Sequence, residues 1–222
     1  MAICRKIGRP DFFITMTCNP RWTEITHALK KYFIKGTTVN DIPLIATDIF
    51  ETKVKQLIKD LMKKNVLGPI VDYVYTIEFQ KRGLPHAHIL AALRTDCKLL
   101  QPKDVDRFIT AELSDKDSSL RYYQLRHMMH GPHVDGLMCW DAEKKVCSKN
   151  FPKSFCEETD MTGDGFPRYR RRDNTDKMYA YHARHNGMVH YVDNRMVVPH
   201  NPYLLKNMIA TLTSSIVLRK WR

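Results

Sequence analysis

The sequence predicts an α+β fold, and three observations lead there. "PIVDYVYTIEF" and "HAHILAAL" are β-rich runs joined by the turn-like "QKRGLP", which is the pattern of an antiparallel hairpin. Upstream, "RWTEITHALKKYF" and "DIFETKVKQLIKDLMKK" place apolar residues at helical spacing. The chain has 222 residues, 43% of them apolar, which is enough for one domain with a real core.

Taken in order, "DFFITMT" (Asp11 to Thr17) is short, aromatic and β-branched. It is bounded by Arg-Pro and Cys-Asn-Pro, so it reads as a strand ending in a turn. The first helix would bury Trp22, Ile25, Leu29 and Phe33, and the second Ile49, Val54, Leu57, Ile58, Leu61 and Met62. In the hairpin's first arm Val71, Tyr73, Tyr75 and Ile77 share one side, opposite Asp72, Val74, Thr76 and Glu78. "PKDVDRFITAEL" and "SSLRYYQLRHMMH" read as helices, the former opening on Pro102. From His130 to Cys156 the chain is rich in Gly, Cys, His and Lys without periodicity, and from Asp160 to Lys177 polar and basic residues dominate. "MVHYVDNRMVV" suggests a hairpin turning at Asp193 and Asn194. No internal repeat or low-complexity linker marks a second domain. The expected organisation is a single domain over 1–222: a core over 1–129, a Cys/His-rich and basic insertion over 130–177, and a C-terminal hairpin with the start of a helix over 178–222.

Charge narrows the partners. Thirty-six Lys and Arg stand against 24 Asp and Glu, a formal net charge of +12, which favours a polyanion and first of all nucleic acid. The bland alternative is that basicity only aids solubility. No run reaches the roughly 18 apolar residues of a membrane span, and the N-terminal sequence lacks a signal peptide's apolar core, so no membrane partner and an intracellular setting are expected. The six cysteines then read as thiols or metal ligands before disulfides.

Two constellations carry metal chemistry. His86 and His88 alternate with Ala87 on the second hairpin arm, so both imidazoles lie on one face about 7 Å apart and can close on one ion. Glu78 or Gln80 on the neighbouring arm is placed to add a third ligand, and two imidazoles with a carboxylate or amide oxygen suit Mg²⁺ or Mn²⁺ acting as a Lewis acid. The alternative is a pair of histidines facing solvent. Farther on, His130, His133, Cys139 and Cys147 could make a four-coordinate Zn²⁺ site, although their spacing matches no standard finger and a loop of free thiols is the competing reading. In "GFPRYRRRD" the residues Arg168, Arg170, Arg171 and Arg172 lie beside the aromatics Phe166 and Tyr169. That suits a track for single-stranded DNA as well as a solvated basic turn.

"FFITMTCNPRW" followed by "YTIEFQKRGLPHAHIL", then "HMMHGP", "CSKNFPKSF", "GFPRYRRRD" and "DNRMVVPHNPYLL", in that order, resembles the replication-initiator nuclease of Helitron rolling-circle transposons across nearly the whole chain. The resemblance implies a His-hydrophobic-His (HUH) endonuclease, in which a central antiparallel sheet flanked by helices holds one divalent ion against a scissile phosphate of single-stranded DNA at the transposon ends. It also implies a tyrosine that attacks the phosphorus. On that basis Thr17 and Asn19 border the site, Lys81 and Arg82 in the hairpin turn contact DNA, and the protein works in the nucleus beside a helicase domain. The family's tyrosine pair would follow "SSIVLRKWR", in which Ser214-Ser215-Ile216 resembles the lead-in to the tyrosine helix, but the sequence ends at Arg222 without it or the helicase. Tyr179 and Tyr181 are weak substitutes. The expectation is therefore a transposase nuclease fragment, inactive alone. The alternatives are a non-catalytic DNA-binding relic and a zinc-dependent RNA- or protein-binding module.

Overall fold

A computed structural model describes residues 9–32, 38–79, 84–114, 119–133, 137–163, 166–182, 188–208 and 211–216. Its centre is a four-stranded antiparallel sheet built from β1 (Phe12–Thr17), β2 (Ile70–Phe79), β3 (Pro85–Leu93) and β8 (Thr211–Ile216), in the order β2-β3-β1-β8. Strand alternation gives this sheet two unlike faces. Phe12, Ile14 and Met16 of β1 and Ala87, Ile89 and Ala91 of β3 are fully buried, whereas the residues between them are half-buried on the opposite side.

Helices pack on the apolar face. α1 (Thr23–Tyr32) contributes Ile25, and α2 (Pro43–Lys63) contributes Ala46, Phe50, Val54, Leu57 and Leu61, a row at spacings of three and four that keeps one side of the helix on the core. Pro43 opens α2, where its missing N–H costs no hydrogen bond. Asp60 sits buried in that row and is held by Gln56 at 2.8 Å and Lys64 at 2.9 Å. α5 (Pro202–Met208) adds Leu204 and Met208. Its N-cap Asn201 accepts the Leu204 N–H at 2.9 Å and donates to the Phe108 carbonyl at 2.8 Å, fixing the helix to the preceding loop.

Two expectations from the sequence are corrected. The helix expected over "PKDVDRFITAEL" stops after one turn, as α3 (Pro102–Asp106). Ile109 and Ala111 then alternate into the core while Thr110 exchanges backbone hydrogen bonds of 2.9 and 3.0 Å with His200, so an extended pairing replaces helix. The segment expected to turn at Asp193 and Asn194 does not fold on itself. β7 (Val189–Val192) pairs instead with β6 (Tyr179–His182), and the Asp193 carboxylate caps the 3₁₀ turn Asn194–Met196. Asn194 is buried as a connector: its side chain accepts from the Leu113 N–H at 2.8 Å and donates to the Arg172 carbonyl at 2.9 Å. Ser214-Ser215-Ile216 form the end of β8, hydrogen-bonded along β1, and the residues after them lie outside the described ones.

The remaining elements are α4 (Ser119–His127) and the two-residue hairpin β4 (Trp140–Asp141) with β5 (Val146–Cys147). Arg171 is 3% exposed, and its guanidinium donates to the carbonyls of Ala111, Asn194 and Val197 at 3.3, 2.6 and 2.7 Å. Burial lowers its pKa to about 10, so it stays charged at neutral pH, and the three carbonyl dipoles take the place of water. Around it Arg172 pairs with Glu112 at 2.8 Å, and Arg170 with Asp106 at 3.2 Å and Glu112 at 3.6 Å. Tyr169 is buried and accepts the Ile216 N–H at 2.8 Å, linking this segment to β8.

Replacing Arg171 by Met should therefore lower stability by about 3 kcal/mol, because three interior carbonyls lose their donor. Arg168→Ala, at an exposed ion pair, should change it by less than about 0.5 kcal/mol. Urea denaturation followed by circular dichroism separates the two.

Candidate metal centres

The polar face of the sheet assembles the first centre. The β1–β3 register sets Thr15 opposite His88 and Thr17 opposite His86, and β2 sets Thr76 and Glu78 opposite the same two histidines. Thr15 Oγ1 lies 3.0 Å from His88 Nδ1, and Thr17 Oγ1 lies 3.0 Å from His86 Nδ1. Each threonine hydroxyl occupies Nδ1 of its ring, which leaves Nε2 as the free ring nitrogen on the side away from β1. Glu78 reaches diagonally across β2 and β3 to within 3.4 Å of His88 Nε2. Phe13 stacks nearly parallel on His88, with ring centroids 5.6 Å apart, and limits its rotation.

Electrostatics favour unprotonated nitrogen at His86. Burial lowers its pKa, the neighbouring His88 lowers it further, and Glu78 opposes both. Two oriented imidazoles beside a carboxylate can accept a divalent cation from the open side of the sheet. Gln80, Lys81 and Arg82, assigned from the sequence to this site and its DNA contacts, lie outside the described residues.

Asn19 serves its own turn. Its side chain accepts the Arg21 N–H at 2.9 Å and its carbonyl accepts the Trp22 N–H at 3.1 Å, which starts the chain toward α1. Thr15 and Phe13 were missed in the sequence. The available signal was the repeat of spacing: Thr15 and Thr17 are two apart on one face of β1, as His86 and His88 are on β3.

The second centre is formed by His130, His133, Cys139 and Cys147, whose ligand atoms all lie within 4.8 Å of one another. Among the described residues no other group of histidines, cysteines and carboxylates converges this closely, the His86, His88 and Glu78 set included. The β4–β5 hairpin makes the convergence. Trp140 pairs with Cys147, and the Ser148 N–H donates to the Cys139 carbonyl at 2.7 Å, which holds both cysteines at one end of the ribbon. The Lys149 N–H donates to Cys147 Sγ at 3.3 Å. His130 is anchored by its backbone N–H on the Met196 carbonyl at 2.9 Å and stacks on Phe151 at 4.3 Å; His133 stacks on Trp140 at 5.1 Å.

Burial first, then His133 and the lysines at 153 and 149, push the His130 pKa down to about 4, and burial lowers that of His133 as well. Burial and the adjacent Cys147 raise the Cys139 thiol. His130 Nε2 faces Cys147 Sγ at 3.3 Å, and His133 Nε2 is buried without a hydrogen-bond partner among the described residues. A buried imidazole nitrogen left unbonded beside two sulfurs is costly as a plain core arrangement and natural as a metal ligand. The Cys/His cluster can hold a metal ion.

The arginine run divides. Arg171 is interior and cannot lie on a DNA track, since its guanidinium is taken up by carbonyls. Arg168, Arg170 and Arg172 reach the surface, ion-paired to Asp160, Asp106 and Glu112. Tyr181 is 7% exposed in a small apolar cluster with Val192, and Arg121 lies over the ring of half-buried Tyr179 at 4.7 Å.

Residues 1–91 match the family model described as the Helitron helicase-like domain at the N-terminus. This segment is a Helitron helicase-like N-terminal domain. A comparison with curated proteins gives no match. The Helitron helicase-like domain contains β1, α1, α2, β2 and most of β3, with His86 and His88, while the Cys/His cluster lies beyond the matched residues.

The His86 tautomer is directly measurable. Nitrogen chemical shifts should show His86 carrying its proton on Nδ1, and Thr17→Val should abolish that preference. On acidification His86 should protonate only below pH 6.5, and His130 near pH 4. Folded-state values below the unfolded one mean that the native state binds fewer protons there, so stability falls as pH drops from about 6.5 toward 4.

Proposed function

We propose that this chain is the ion-holding part of a Helitron transposase nuclease, binding single-stranded DNA across the polar face of its sheet. The observation that carries the reading is the pair of imidazoles pinned at Nδ1 by Thr15 and Thr17, with Nε2 of His88 beside Glu78. The residues fit a divalent cation of the Mg²⁺ or Mn²⁺ type: His86 and His88 would supply nitrogen and Glu78 oxygen. Bound there, the ion would polarise a scissile phosphate. The protein's own residues do the positioning. Thr15, Thr17 and Phe13 hold the rings, the buried alternation of β3 keeps both on the open face, and a net charge of +12 attracts the polyanion. Packed as they are, Tyr179 and Tyr181 do not supply a nucleophile in this reading, so the chain binds DNA and the ion without forming a covalent link.

Zn²⁺ is the ion proposed for the second centre, as a structural clasp. Two sulfurs and two imidazole nitrogens are the donor set of closed tetrahedral zinc sites, and the unbonded His133 Nε2 supports it.

Mn²⁺ titration should show one site weakened at least about tenfold by His86→Ala with His88→Ala, and also by Thr15→Val with Thr17→Val. Single-stranded DNA binding measured with Mn²⁺ present should fall in the same variants; unchanged Mn²⁺ affinity would remove the reading. Elemental analysis should find zinc in the purified protein and lose it in the Cys139→Ser, Cys147→Ser variant while Mn²⁺ binding persists. A zinc-free wild-type protein would remove the clasp.

A further inference from the structure

A cavity of about 220 Å³ lies where the Cys/His loop meets β7, and neither metal centre uses it. Pro132, from the loop between His130 and His133, and Pro152, next to the Phe151 that stacks on His130, form one wall. Met178, Met196 and His190 line the cavity too, together with the β7 residues Tyr191 and Val192 and the ion-paired Asp193 and Arg195. His190 Nε2 is buried and has no hydrogen-bond partner among the described residues. The cavity therefore offers prolines and thioethers, which pack well on aromatic rings, and one polar atom in need of a partner.

Its size and surroundings decide the occupant. The volume is below the roughly 300 Å³ at which drug-sized sites begin, which suits a single ring system and excludes a whole nucleotide. Pro152 is followed by Lys153, whose ammonium bonds to the Lys149 carbonyl at 2.8 Å and not to a carboxylate, so a cation stands next to the wall. Arg195 also lines the cavity, held by Asp193 at 2.7 Å. A planar heterocycle with a hydrogen-bonding edge, carried on an anionic backbone, matches all of these features.

We infer that this cavity receives one unstacked nucleobase of a bound single strand, with the base edge on His190 Nε2 and the neighbouring phosphates near Lys149 and Lys153. The inference rests on the single-stranded DNA reading above and adds a contact that the ion site does not make. Base contacts of this kind are sequence-tolerant, because every base has an apolar face.

The test compares a short thymidine oligonucleotide with an abasic oligonucleotide of the same length on the zinc-loaded chain. Met178→Trp, at the partly exposed rim, should fill the cavity and weaken thymidine binding by about tenfold, with abasic binding unchanged. The His190 ring nitrogen shift should move with the thymidine oligonucleotide and not with the abasic one, a measurement on the unmutated protein that does not depend on how the variant folds. Equal binding of both oligonucleotides with His190 unmoved, or an equal loss for both in Met178→Trp, overturns the base pocket and leaves DNA binding in place. Failure of the wild-type chain to bind either oligonucleotide overturns the pocket together with the reading it rests on.

Discussion

The pairing of β1 with β3 is the constraint on which the rest depends. It aligns Thr15 with His88 and Thr17 with His86, and in the same register it aligns Phe12, Ile14 and Met16 with Ala91, Ile89 and Ala87. Side chains alternate with a period of two, so a slip by one residue would turn the histidines into the helical core and put the apolar set in water. Burial of one face therefore holds the chemistry of the other. Ala87 and Ile89 specify the orientation of His86 and His88 as firmly as the threonines do, because they fix which way the strand faces.

A different logic holds the second half of the described structure. Its elements are short, and their backbone groups are satisfied largely by single bridges and side chains. Arg171, Asn194, Asn201 and Tyr169 each tie loops that no regular ladder connects. Polar groups at these depths stabilise only when every partner is present, which makes the arrangement specific and vulnerable together. The Cys/His cluster sits on the same framework: His130 hangs from the Met196 carbonyl, and Val198 donates to the Met128 carbonyl alongside. A metal there would brace loops that have little apolar core of their own, whereas an ion on the sheet face would sit on a scaffold already rigid without it.

Period and composition made much of the first half legible. The helices, the hairpin and the placement of His86 and His88 on one face follow from alternation and 3.6-residue spacing, both local signals. The four zinc-type ligands could be picked out as a set by residue type, though not as a site, because their spacing matches no standard pattern and β4–β5 is too short to be seen as a hairpin. The arginine run misled for a related reason: four arginines in five residues look like surface, and only the surrounding carbonyls and carboxylates show that one of them is interior.

The sequence alone determined which residues alternate, which helical faces are apolar, and that two histidines share a strand face; these properties follow from the geometry of a few successive residues. Only the tertiary structure decided what stands across from them. The threonines that orient the imidazoles come from about 70 residues away, and β8 becomes a strand because β1 offers it an open edge. The fate of Arg171 was likewise settled by three carbonyls from distant loops, since long-range partners set the free energy of a polar group and local sequence does not contain them.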